Sequence, residues 1–143
     1  MNQDAVTAFQ QLYQQLNRDT VNKTLLAQVY GDAIHFQDPF HQIYGLQALT
    51  DYFVNLYENV EYIEFDFGHC WYDNNHAFIR WQMHYRHPRI NGGNTVTVDG
   101  GSELIWQDNR IIQHRDFFDA GQMLYEKLPL IGWLIRKLKE RMQ

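Results

Sequence analysis

The chemistry open to this chain rests on seven histidines and a few carboxylates. His35 and His41 flank Asp38, which stands directly before Pro39, and His114 precedes Asp116 by two. Residues two apart on a strand share a face, so His114 and Asp116 are expected to point the same way. Arg80 is placed at an inward-facing strand phase, where it pairs with Asp116 either as a satisfied structural ion pair or as a polarising unit in a pocket. His84 and His87 are three apart on a strand, which sends them to opposite faces and makes a poor chelate. No spacing here is diagnostic for zinc or iron, so neither a metal nor a cofactor is expected. The histidines are expected first as core or hydrogen-bonding groups. The second reading has Asp38, His41, His84 and His114 converge at a cavity mouth, with His41 or His114 in an acid/base role. Asp38 reads equally as a pocket base and as a turn carboxylate receiving backbone N–H groups. Cys70 is expected to pack as a small apolar residue.

Positioning these groups requires a particular order of elements. Val6, Phe9, Leu12, Tyr13 and Leu16 recur at helical spacing behind Asp4, which predicts a first helix over 5–16. A second is predicted over 20–30 on Val21, Leu25 and Val29, with Gly31 as its C′ residue. A short extended segment, Ile34 to Gln37, then stops at Asp38-Pro39, because proline holds the residue before it out of a helix. Leu46, Leu49, Phe53 and Leu56 mark a third helix. Beyond Glu58 the period becomes two, with strands over 60–72, 77–87, 95–106 and 110–118 separated by Asp73-Asn74-Asn75, Asn91 to Asn94 and Gln107-Asp108-Asn109. Gly100-Gly101 suits a bulge or bend. Helix returns from Gly121, breaks at Pro129, and resumes on Ile131, Leu134, Leu138 and Met142. The class is α+β.

At 143 residues the chain is expected to be one domain, 1–143, with no linker or internal repeat. Aromatic residues reach 15%, a surplus that suits an apolar pocket better than a bundle packed with leucine and alanine. The expected lining is Tyr13, Phe36, Phe53, Met83, Trp106 and Phe118, with Asp38, His41, Arg80, His84, His114 and Asp116 as polar members, around a small apolar organic ligand. A net charge of −5 argues against nucleic acid. One cysteine excludes an intrachain disulfide, and the start lacks a basic and apolar leader, so a cytoplasmic location is expected. Arg136, Lys137, Lys139 and Arg141 make the final helix basic. Packing of its apolar stripe is favoured over contact with a membrane surface. A homodimer is expected through the outer sheet face, carrying Trp81 and Tyr85.

Phe36-Gln37-Asp38-Pro39, Tyr44-Gly45, Gly100-Gly101-Ser102 and His114-Arg115-Asp116-Phe117-Phe118-Asp119, in this order, resemble the nuclear transport factor 2-like superfamily and its SnoaL-like branch. The resemblance implies a cone-shaped, curved antiparallel sheet wrapped around three N-terminal helices, with a helix at the C-terminus. In ketosteroid isomerase-like members the Asp of such an Asp-Pro is the general base, which here is Asp38. The partner Tyr and protonated Asp of that group fall on Leu12, with Tyr13 one residue away, and on Ser102. In limonene epoxide hydrolase-like members an Arg-x-Asp strand and a second Asp form the catalytic set. Arg80 and Asp116 match it, but Gln82 stands where the base would be, and a neutral amide cannot take a proton from water. Phe36 and Asp38 stand where that group positions water with Tyr and Asn. The implied function is a small-molecule-binding protein doing isomerase-like acid/base chemistry, with Asp38 as base and Arg80, Asp116 or His114 polarising the substrate. The alternative is a non-catalytic binding or interaction module.

Overall fold

The computed structural model describes residues 3–123 and 129–142. Helix α1 (Gln3–Gln15) leads to a single turn, α2 (Lys23–Leu26), then strands β1 (Tyr30–Gln37) and β2 (Gln42–Tyr44) and helix α3 (Leu46–Asn59). The meander β3 (Tyr62–Asp73), β4 (His76–Arg86), β5 (Val96–Gln107) and β6 (Arg110–Phe118) follows, then α4 (Ala120–Met123) and α5 (Pro129–Arg141). The second predicted helix is much shorter than expected. Asn22 caps it by accepting the Leu25 N–H at 2.8 Å, and from Tyr30 the chain is already strand. Gly31 is therefore a strand residue and no helix cap. Pro129 opens α5, at the position where its missing N–H is harmless; the residues before it, 124–128, lie outside the described residues.

The six strands form one open sheet in the order β2-β1-β6-β5-β4-β3. It is mixed, which corrects the antiparallel expectation: β1 runs parallel to β6, pairing Phe36 with His114 and Gln37 with Arg115. Side-chain alternation is the same in both directions, so the sequence pattern is blind to this. The pairing matters for function, because it brings the Asp38 turn beside the His114–Asp116 segment. The β5–β6 turn has both central residues in the left-handed region, Asp108 at φ 52° and Asn109 at φ 62°, as a tight type I′ hairpin requires.

On β4 the residues Ala77, Ile79, Trp81, Met83 and Tyr85 are buried, whereas Arg80, Gln82 and Arg86 are exposed. The buried set faces inward, so Trp81 and Tyr85 do not lie on the outer face. Val6, Phe9 and Leu12 of α1 and Leu49 and Phe53 of α3 share the main core with Ile79, Leu104 and Ile111 of the sheet. Register runs unbroken through Gly100 and Gly101. These glycines answer a different need: a Cβ at Gly100 would lie 2.4 Å from the Trp81 ring, and one at Gly101 would lie 2.4 Å from the Phe78 ring. Two aromatic rings thus press on the backbone from opposite faces. The outer face carries Trp71 and Phe117, 51% and 42% exposed, with the Arg115 guanidinium over the Phe117 ring. Among the described residues no helix is long and apolar enough to cross a membrane. On α5, Lys139 pairs with Asp119 at 3.6 Å.

Candidate functional site

A pocket of about 480 Å³ opens between α3 and the inner face of the sheet. Leu56, Val60, Ile63, Met83 and Ile90 give it an apolar wall, and Asp38, His41 and Tyr52 give it a polar end. That size suits a small organic molecule.

The polar end is built by the turn after β1. Pro39 forces the chain to bend, and Asp38 stabilises the bend by accepting the Phe40 and His41 N–H groups on Oδ1 at 2.8 and 2.7 Å. The same oxygen lies 3.1 Å from His41 Nδ1. Since a carboxylate only accepts, Nδ1 carries a proton, and in the neutral ring His41 Nε2 keeps a free lone pair. Tyr52, nearly two turns into α3, donates to Asp38 Oδ2 at 3.4 Å. Burial, with Asp38 and Asp116 adding negative charge nearby, pushes the Tyr52 phenol far above its ordinary value, so it stays a donor. The Asp38 side chain is 7% exposed, against 46% for His41. Carboxylate, imidazole and phenol therefore meet at one pocket end, with the imidazole the group most open to a ligand.

Deeper in the fold lies a continuous hydrogen-bond chain. His114, 1% exposed, places Nδ1 2.8 Å from the Tyr30 hydroxyl and Nε2 2.6 Å from Asp116 Oδ1. Tyr30 meets the Tyr13 hydroxyl at 2.7 Å. On the other side the Trp81 indole N–H donates to Ser102 Oγ at 2.9 Å, and Ser102 donates to Asp116 Oδ1 at 2.5 Å. An indole can only donate, which fixes the direction of the Ser102 bond. Burial pushes both Tyr13 and Tyr30 well above the ordinary tyrosine range, so both remain neutral hydroxyls. With a neutral His114 the run reads in one sense: Tyr13 to Tyr30 to Nδ1, and Nε2–H to Asp116. Every buried polar group in it is satisfied.

The structure distributes the expected residues unequally. Asp38, His41 and Met83 line the pocket. Phe118 stands at its edge, 6.0 Å from Phe40 and 6.4 Å from Trp81. Phe36 and Phe53 are core rings behind the polar end, 5.9 Å apart, and Tyr13 is held in the buried chain. Trp106 belongs to the main core and lines no part of this pocket. Arg80 and His84 lie on the opposite face of the sheet. His84 is engaged there by Thr97 at 2.8 Å and Asp66 at 2.9 Å. The expected Arg80–Asp116 pairing is not formed, because Arg80 is on the outward phase of β4 while Asp116 turns inward to Ser102 and His114. Sequence reasoning missed Tyr52, Tyr85, His87 and Met123, which also line the pocket. Tyr85 and His87 share the phase of Met83 on the strand predicted over 77–87, a signal that could have placed both; Met123 lies beyond the regular pattern. Among the described residues no group of three or more His, Cys, Asp or Glu side chains is arranged to hold a metal ion.

A family model described as a SnoaL-like domain matches residues 9–114. No curated protein matches the chain. Among solved structures, a hypothetical protein with a ketosteroid isomerase-like fold from Catenulispora acidiphila DSM 44928, in complex with trimethylamine, is 11% identical with a TM-score of 0.73, covering 89% of this chain and 93% of that one. A putative SnoaL-like polyketide cyclase from Shewanella putrefaciens CN-32 is 17% identical with a TM-score of 0.69, covering 86% and 95%. Another from Jannaschia sp. CCS1 is 12% identical with a TM-score of 0.68, covering 80% and 85%. At these identities the likeness is one of fold.

Proposed function

The chain belongs to the SnoaL-like domain family, and we propose that it binds a small, largely apolar organic molecule over α3 and moves a proton on it. The observation that carries this is the meeting of Asp38, His41 and Tyr52 at one end of a pocket whose wall is built mainly from Leu56, Val60, Ile63, Met83 and Ile90. Asp38 Oδ1 already holds two backbone N–H groups and the imidazole, so Asp38 acts through His41 more readily than on its own. His41 Nε2 takes a proton from a carbon beside a carbonyl, and Asp38 stabilises the imidazolium that forms. The carbonyl oxygen, as it gains negative charge, accepts a hydrogen bond from Tyr52, whose one hydroxyl proton turns to it from the long 3.4 Å bond to Asp38 Oδ2. Return of the proton from Nε2 to another carbon completes an isomerisation, with no net oxidation. Relatives described as putative polyketide cyclases fit a pocket for carbonyl-rich substrates.

A second reading keeps the pocket and removes the chemistry. It is favoured by the two backbone N–H groups on Asp38, which give that carboxylate a structural task in its turn. Native mass spectrometry of the purified protein identifies a retained molecule, and turnover of that molecule is then measured for wild type, Asp38→Asn and His41→Gln. The enzyme reading expects both variants to lose roughly 10²–10⁴-fold in rate while still binding. Unchanged turnover in both refutes the mechanism; binding without turnover in the wild type leaves the module.

We also propose a homodimer through the outer sheet face around Trp71 and Phe117, and a cytoplasmic location, supported by the single free Cys70. A monomer mass at high concentration by light scattering contradicts the first.

A further inference from the structure

His87 lines the same pocket as His41, yet its hydrogen bonding is the reverse. The Arg89 backbone N–H donates to His87 Nδ1 at 3.0 Å. A ring nitrogen that accepts carries no proton, so the neutral ring keeps its proton on Nε2. His41 is bound the other way, with Nδ1–H given to Asp38 and Nε2 left as an acceptor. Among the described residues neither Nε2 has a hydrogen-bond partner. The pocket thus offers one free imidazole acceptor and one free imidazole donor.

The two lie at opposite ends. Tyr52 marks the His41 end, through its bond to Asp38 and a ring contact of 4.9 Å with His41. The last turn of α3 marks the other: the Glu61 N–H donates to the Arg86 carbonyl at 2.8 Å, which fastens the chain after Val60 beside the residue preceding His87. The seven helical steps from Tyr52 to Asn59 rise roughly 10 Å. Leu56, Val60, Ile63 and Met83 give the pocket its apolar surface, and Asn55 and Asn59 of α3 also line it.

We infer that His87 anchors the far end of the bound molecule by donating its Nε2–H to an acceptor oxygen. This rests on the pocket reading above and narrows it: the ligand is elongated and apolar, with a hydrogen-bond acceptor such as a carbonyl about 10 Å from the carbon that meets His41. A donor without a protein partner favours a ligand that supplies the acceptor, because an apolar end would strip the N–H of its water.

The test uses two probes of nearly equal shape, 2-acetylnaphthalene and 2-isopropenylnaphthalene, which differ by a carbonyl oxygen against a methylene. Titration calorimetry on wild type is expected to show the ketone bound about fivefold more tightly. His87→Phe, which keeps a ring of similar area, is expected to bring the ratio to about one with the hydrocarbon's affinity retained. Nitrogen-15 NMR of the free protein is expected to show the Nε2–H tautomer at His87. An Nδ1–H tautomer, a ketone preference absent from wild type, or one that survives His87→Phe overturns this inference while leaving the pocket intact. Failure of both probes to bind the wild type overturns the pocket reading and this inference with it.

Discussion

Removing the Tyr30 hydroxyl tests whether the buried chain from Tyr13 to Trp81 behaves as one unit. Tyr30→Phe deletes a single oxygen and changes little volume, but that oxygen bonds both Tyr13, at 2.7 Å, and His114 Nδ1, at 2.8 Å. Both partners are buried, so each is left without water or a replacement. Stranding a neutral buried group costs ~1–3 kcal/mol, which makes the single change worth about 3 kcal/mol. Tyr13→Phe is milder, because Tyr30 keeps its bond to His114; about 1 kcal/mol is expected. The double variant is the informative one. With Tyr13's hydroxyl also gone, only His114 Nδ1 is stranded, and the cost falls to about 2 kcal/mol. The second substitution therefore restores roughly 1 kcal/mol, where independent sites would sum to about 4. Urea unfolding followed by tryptophan fluorescence, with the slope checked for constancy across variants, measures this directly. A double variant at the additive value refutes the continuous chain.

Gly100→Ala places a Cβ 2.4 Å from the Trp81 ring and 2.7 Å from the Phe117 carbonyl oxygen; a loss of about 1–3 kcal/mol is expected by thermal unfolding, with Gly93→Ala no guide because its φ of 81° adds strain of its own. Alkaline stability follows from buried phenols: burial raises Tyr13, Tyr30, Tyr52 and Tyr57, and raises Tyr85 to about 12. The unfolded chain releases these protons near pH 10 and the folded chain holds them. Their stabilisation is thus complete below pH 10 and is lost as pH rises through 12 and above. Unfolding free energy measured from pH 8 to 12 is expected to fall only beyond 10, and a flat profile would remove the argument.

Much of the architecture was legible because it is local. The two-residue period of β4, the proline after Asp38 and the Asp108-Asn109 turn each act within a few residues, and each stands in the fold as read. Helical spacing likewise announced α1 and α3. What local pattern lacks is a sign. Alternation divides β4 into two sets without saying which meets the helices, so Arg80 and His84 were given to a pocket on the wrong side of the sheet. The same blindness hid the parallel pairing of β1 with β6, and with it the meeting of Tyr30 and His114, 84 positions apart. The role proposed for His87 was beyond reach for a further reason: it depends on where α3 ends and on the Arg89 N–H that sets the tautomer. Residue types and the Asp-Pro turn pointed to acid/base groups; only tertiary packing, which turns one strand face inward and closes α3 over it, decided which imidazoles share the cavity and which nitrogen of each is already engaged.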